Sequence, residues 1–132
     1  MKILCTICAR GGSTGLQNKN IKIIKGFPLI HHTINQAIKS KLFNKIVVSS
    51  DSDKILNISN KKKVDYLIKR SKKLSSSSTP KIPAIRDTLI KTEKKFNIKF
   101  DYVMDLDVSS PLRNILDIKD SFKKIIKYKK EI

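Results

Sequence analysis

Arginine is scarce in this chain. Of its 29 cationic residues 25 are Lys, and only Arg10, Arg70, Arg86 and Arg113 are Arg. Acidic residues are also few, 11 in 132, so the formal net charge is +18. A charge of that size suggests a nucleic-acid partner. The shortage of Arg argues against one, because phosphate and base recognition favour the bidentate guanidinium fork. Aromatic residues make up 6% of the chain, with no pattern suited to stacking single-stranded bases. The Lys residues are scattered among many Ile and Asn, as a compositional bias acting on tolerant surface sites would scatter them. The few Arg are therefore the cations to follow.

Cysteine is limited to Cys5 and Cys8. C-x-x-C spacing can mark a redox or metal site. Both residues lie in "ILCTIC", which reads as a strand, and residues three apart on a strand point to opposite faces. Two separate buried thiols are expected, with no shared metal or disulfide. Long apolar runs are missing too. None approaches the roughly 18 residues of a membrane span, and the N-terminal run is too short for a signal segment. A cytoplasmic protein with no membrane partner is expected. The length, 132 residues, fits one domain. With 39% hydrophobic and 30% charged residues, a soluble globular class fits better than disorder.

Glycine is rare but concentrated. Three of the four fall in "ARGGSTGLQNKN", residues 9–20. The pattern is not G-x-x-x-x-G-K-S/T, nor G-x-G-x-x-G, so neither a P-loop nor a dinucleotide fingerprint can be read from it. Gly11, Gly12 and Gly15 still allow backbone N–H groups to turn toward an anion. Ser13 and Thr14 add hydroxyl donors, and Arg10 and Lys19 add positive charge. On the residues alone, an anion-binding loop and an ordinary Gly-rich turn both remain open.

Hydrophobic periodicity orders the rest. An almost unbroken apolar run predicts a strand over 2–8, buried on both faces. A polar loop covers 9–27. Leu29, Ile30, Thr33, Ile34, Ala37 and Ile38 predict a helix over about 28–40, with Pro28 in its first turn. "KIVVSS" predicts a strand over 45–50, followed by a helix over roughly 52–62 capped by a Ser or Asp. A short strand is expected at 64–68, a Ser-rich loop at 69–80, a helix marked by Ile82 to Phe96, a strand at 102–106 and a last helix marked by Ile115 to Ile126. Alternation of this kind specifies a parallel sheet with helices on its faces. Ligands of such sheets bind beyond the carboxyl ends of the strands. The loops at 9–20, 69–80 and 107–113 open on that edge, and each contains an Arg.

Three ordered motifs carry a resemblance. "ARGGSTGLQNKNI" with the following "GFPLIHHTINQAIKSKLFNKIVVSSDSDKI", then "RSKKLSSSSTPKI", then "DLDVSSPLR", are together similar to the N-terminal portion of the acylneuraminate cytidylyltransferases, the CMP-sialic acid synthetases. The similarity runs over essentially the whole chain. It implies an α/β, Rossmann-like parallel sheet with helices on both faces, of the nucleotide-diphospho-sugar transferase type. It implies a single nucleotidyltransferase domain over residues 1–132, incomplete at its C-terminus. The implied reaction transfers CMP from CTP to the anomeric hydroxyl of a sialic-acid-like nine-carbon sugar acid, releasing pyrophosphate. By the same resemblance Arg10, Gly11, Gly12, Ser13, Asn20, Arg70 and Asp107 contact the nucleotide. Lys19 holds its phosphates, where a positioned cation stabilises charge spread over the phosphate oxygens. Lys19 and Arg10 are the catalytic candidates, and Ser110 and Arg113 line the substrate site. Mg²⁺ is the implied cofactor, with acidic ligands in a later half beyond residue 132. A homodimer is implied for a full-length chain.

Three positions depart from the family pattern. Thr14 stands where the first loop often has Lys, Ser77 where the second often has Asp, and Asp107 where the sialic acid branch has Gln. A carboxylate only accepts hydrogen bonds, whereas Gln donates as well.

Other readings have their own signals. Asp105 and Asp107 form a D-x-D at a strand end, as in metal-dependent nucleotide-sugar glycosyltransferases; the plainer reading gives one carboxylate to the site and one to the structure. A basic nucleic-acid-binding module and an inactive remnant of the domain are further alternatives. His31 and His32, adjacent on a helix, read as surface or core residues, and the Lys-rich stretch at 123–130 reads as a solvated helix face.

Overall fold

A computed structural model describes residues 1–11, 19–71, 81–108 and 118–119. In chain order the elements are β1 (Ile3–Ala9), a 3-10 turn (Lys19–Ile21), β2 (Ile23–Ile24), β3 (Phe27–Pro28), α1 (Leu29–Ser40), β4 (Lys45–Ser50), α2 (Asp53–Ser59), β5 (Tyr66–Lys69), α3 (Lys81–Phe96) and β6 (Tyr102–Asp105). Four strands form one parallel sheet in the order β5-β4-β1-β6.

The unbroken apolar run of β1 has its explanation in this order. A central strand is covered on both faces, and every β1 residue except Cys8 is buried. Ile3, Cys5, Ile7 and Ala9 pack with Ile30, Ile34 and Ala37 of α1 and Ile55 of α2. Leu4, with Val47 and Ile68, faces the opposite way and packs against Leu89 of α3. Helices therefore cover both faces, as expected. Fully burying each large aliphatic side chain contributes about 1.5–3 kcal/mol, so the sheet and its two helical layers stabilise one another. Cys5 and Cys8 lie on opposite faces as the strand period requires: Cys5 joins the α1–α2 side, while Cys8 Sγ lies 3.9 Å from Thr88 Oγ1 of α3.

Helix ends follow local chemistry. The Ser52 hydroxyl accepts from the Ile55 N–H at 3.3 Å and caps α2, a contact worth about 1 kcal/mol. Buried Thr88 and Thr92 donate back to the carbonyls of Ala84 and Thr88 at 2.8 and 2.7 Å, which satisfies their hydroxyls inside α3.

The stretch 9–27 is more structured at its C-terminal end than its polarity suggests. β2 and β3 pair antiparallel, with Ile24 opposite Phe27. The two residues between them, Lys25 and Gly26, have φ of 51° and 85°. Positive φ at both central positions is the type I′ geometry that matches strand twist, and Gly26 adopts it without a Cβ penalty. A ladder two residues long has no alternation to read, so the hairpin left no periodic signal. Pro28 precedes the first turn of α1 rather than occupying it: its ψ is 142°, still extended. The strand expected at 64–68 lies at Tyr66–Lys69, and α2 ends at Ser59 rather than near 62.

Both histidines are structural. His31 Nε2–H donates to the Ile58 carbonyl at 2.7 Å and His32 Nε2–H to the Ile24 carbonyl at 2.6 Å. They fasten α2 and the hairpin to α1. Of the expected last helix only residues 118–119 are described; they are helical, and Ile118 is buried in the α1–α2 side of the core. The stretch at 123–130 lies outside the described residues. Among those described, no helix is long and apolar enough to cross a membrane.

Candidate nucleotide site

The strand order creates one topological switch point. The chain moves from β1 outward to β4 and β5, then returns past β1 to place β6 on its other side. In open parallel sheets the crevice beyond the strand ends at such a reversal is where ligands bind. Arg10 follows β1 and Asp107 lies just beyond β6, so the two flank that crevice. Arg70 follows β5 on the same edge.

Each of these residues is held by an extension of the sheet. The Leu106 N–H donates to the Thr6 carbonyl at 2.9 Å, carrying the β1–β6 ladder to the residue before Asp107. The Arg70 N–H donates to the Ser50 carbonyl at 2.9 Å and does the same between β4 and β5. Arg70 is only 3% exposed, and its Nη1 donates to the Ser49 carbonyl at 3.0 Å. Arg70 thus braces the end of β4 as well as lining the edge.

The first loop is gathered at its base. Asn20 is buried, and its Nδ2 donates to the Arg10 carbonyl at 2.9 Å. The Gly11 N–H donates to Asp51 Oδ1 at 2.9 Å. A Cβ on Gly11 would lie 2.7 Å from the Ser52 Cβ, so only glycine permits the approach. Lys19 is half-buried beside Asn20 in the 3-10 turn. Arg10 Nη1 is buried and has no hydrogen-bond partner among the described residues. A buried donor without an acceptor costs about 1–3 kcal/mol, a cost that an oxygen-rich anionic ligand would remove.

A polar cluster on the α3 face of the same edge escaped the sequence reading. Thr6 Oγ1 donates to Asp105 Oδ1 at 2.8 Å, and Lys81 Nζ lies 2.7 Å from Asp105 Oδ2. Both carboxylate oxygens of Asp105 are therefore engaged within the protein, as the plainer reading of D-x-D has it. Asp107 is exposed. Beside this cluster, burial pushes the Cys8 thiol from 9.0 up to about 11, and the Asp105 carboxylate adds to the rise. Arg70 and Lys81 pull the other way without cancelling it.

A divalent cation finds no ready cage here. Among the described residues no group of three or more His, Cys, Asp or Glu is placed to hold a metal. The one carboxylate of the D-x-D that packs into the fold already has its partners. These residues do not by themselves fit the Mg²⁺ that the resemblance implies.

Of the residues expected at the site, the structure brings Arg10, Gly11, Lys19 and Asn20 together and sets Arg70 and Asp107 along the same edge. Gly12, Ser13, Ser110 and Arg113 lie outside the described residues, as do Thr14 and Ser77. Asp51 and Thr6 were not foreseen. The signal for Asp51 is its position at the carboxyl end of a predicted strand, where the local pattern specifies no more than a helix cap.

Residues 4–130 match the sequence profile of a family described as cytidylyltransferase. The chain belongs to the cytidylyltransferase family. It is 47% identical over 121 residues to post-translational flagellin modification protein B of Campylobacter coli, covering 92% of this chain and 52% of that protein. It is 46% identical over 110 residues to CMP-N,N'-diacetyllegionaminic acid synthase of Campylobacter jejuni, covering 83% of this chain and 47% of that protein. The chain thus spans about half the length of the curated relatives it matches. In fold it is similar to a CMP:2-keto-3-deoxy-manno-octonic acid synthetase solved in complex with CTP. The TM-score is 0.74 at 20% identity, over 96% of this chain and 48% of that one. The cytidylyltransferase assignment agrees with the parallel α/β sheet and with the Gly-rich loop at its switch point.

Proposed function

We propose that this chain is the nucleotide-binding part of an enzyme that transfers CMP from CTP to the anomeric hydroxyl of a sialic-acid-like nine-carbon sugar acid, releasing pyrophosphate. The match of residues 4–130 to the cytidylyltransferase family carries the reading. The 46% identity to a CMP-N,N'-diacetyllegionaminic acid synthase makes legionaminic-type acids the first sugars to test.

In this proposal residues 1–132 belong to a single nucleotidyltransferase domain. Arg10, Gly11, Gly12, Ser13, Asn20, Arg70 and Asp107 contact the nucleotide. Lys19 and Arg10 neutralise phosphate charge as the bond between the α- and β-phosphates breaks and pyrophosphate departs. The buried Arg10 Nη1, without a hydrogen-bond partner among the described residues, supports that role. Ser110 and Arg113 line the sugar side. Mg²⁺ is the proposed cofactor, held by residues other than those described, and when bound it supplies further charge neutralisation. The proposed setting is the cytoplasm, and the proposed assembly a homodimer. Asp105, with both oxygens engaged by Thr6 and Lys81, gives the glycosyltransferase alternative no free carboxylate pair.

Calorimetric titration with CTP and Mg²⁺, with ATP as the control, tests the reading. Selective heat with CTP that disappears in Arg10→Ala and Lys19→Ala is expected. No heat at millimolar CTP would overturn it. A turnover assay with sialic, legionaminic and pseudaminic acids then ranks the sugars.

A further inference from the structure

We infer that Asp51 is a positioning residue for the nucleotide site: its carboxylate holds the base of the Gly-rich loop through the Gly11 N–H. The inference rests on the nucleotide-binding reading given above and adds a residue that none of the three sequence motifs assigned to the site.

Three contacts converge on the base of this loop. Asp51 Oδ1 accepts from the Gly11 N–H at 2.9 Å across 40 residues of sequence. Gly11 Cα sits so close to Ser52 that a Cβ would meet the Ser52 Cβ at 2.7 Å. Asn20 Nδ2 donates to the Arg10 carbonyl at 2.9 Å and ties the far end of the loop to the residue next to Gly11. The turn that carries Asp51 is itself fixed. The Ser52 N–H donates to Ser50 Oγ at 3.0 Å, and Ser52 Oγ caps α2. Ser50 in turn is the last residue of β4, paired with Ala9 of β1. The β4–α2 turn thus helps set the direction in which Arg10 and Gly11 leave the sheet.

An acceptor from outside the loop suits this task. Backbone N–H groups near a Gly-rich turn are free to point many ways. A carboxylate on Gly11 N–H consumes that donor and selects one course for the chain. Arg10, one residue earlier, then presents its guanidinium from a backbone held on both sides. Preorganisation of this kind lowers the ordering cost of binding without any contact to the ligand.

The test compares Asp51→Ala and Asp51→Asn in the same protein. Asparagine retains the Oδ1 acceptor, and alanine does not. Amide hydrogen exchange at Gly11 and Asn20 is measured without ligand, together with CTP affinity and thermal stability. Expected for Asp51→Ala is exchange at Gly11 about tenfold faster and CTP binding about tenfold weaker, the scale of one lost charge-assisted hydrogen bond. Exchange in the interior of β1 stays at the wild-type rate. Asp51→Asn restores both quantities to near wild type. Wild-type exchange at Gly11 in Asp51→Ala overturns the inference, and so does equal acceleration throughout β1, which marks a general structural role. A wild-type protein that fails to bind CTP overturns the proposed function instead. The exchange at Gly11 still decides the clamp in that case.

Discussion

The side-chain amide of Asn20 donates to the carbonyl of Arg10 at 2.9 Å, closing the ends of the Gly-rich loop onto each other. The family resemblance gives Asn20 a nucleotide contact. In the structure one of its amide hydrogens is already committed to the chain, so Asn20 shapes the loop whatever else it touches.

Replacing that donor is expected to weaken CTP binding. Asn20→Ala leaves the Arg10 carbonyl short of a partner and should lower stability by about 1 kcal/mol. Asn20→Asp should be worse, because a buried carboxylate there faces a carbonyl oxygen with nothing to donate. Titration calorimetry with CTP and thermal unfolding check the order wild type, then Ala, then Asp. An Asp variant as stable as wild type would contradict it.

Gly11→Ala should be destabilising by about 1–3 kcal/mol, the usual cost of forcing extra volume into a filled space. The obstacle is the Ser52 Cβ at 2.7 Å, so the penalty should shrink when Ser52→Gly removes that atom. Ser52→Gly alone costs only a few tenths of a kcal/mol as a cap change. A double-mutant cycle by chemical denaturation measures the coupling, and additive penalties would show that the contact is not the cause.

Thr6→Val keeps the shape of a buried side chain but removes the donor to Asp105. The carboxylate loses one of its two partners among the described residues, and a stability loss of about 1–3 kcal/mol is expected. Asp105→Asn should change stability while leaving Mg²⁺ affinity unaltered, because both Asp105 oxygens serve the fold. A marked fall in metal affinity in Asp105→Asn would return the D-x-D reading to contention.

Cys8 should behave as an inert thiol. Its value is raised to about 11 from an ordinary 9.0, so the folded protein binds this proton more tightly than the unfolded chain. The sign follows from linkage. The contribution to stability is complete below pH 9, declines as the pH rises from about 9, and is lost by about 11. Unfolding curves for wild type and Cys8→Ala across that window should converge as the pH rises. Alkylation of Cys8 by iodoacetamide should be slow at pH 8, because the thiolate is the reacting form. Rapid labelling there would contradict the assignment.

Much of the architecture was legible in advance because it depends on local periodicity. The strand at 45–50 coincides with β4 residue for residue, and β1 is displaced by one residue from 2–8. Its apolar run could only be satisfied by cover on both faces. Alternation of strands and helices placed three Arg-bearing loops on one edge, and the described parts of those loops begin there. The hairpin at 23–28 was missed because its two-residue strands have no period.

Local patterning is enough to specify a parallel α/β sheet, the layers that cover it, and a Gly-rich loop leaving its first strand. Short-range spacing of apolar side chains and turn residues is enough for those features. Tertiary structure alone decided which groups hold the site. Asp51 meets Gly11 across 40 residues, and Thr6 meets Asp105 across 99. Those meetings follow from strand register, which sets Thr6 beside Asp105 and Ala9 beside Ser50. Register is settled by packing both faces of the sheet at once, a condition that no local stretch of the chain encodes.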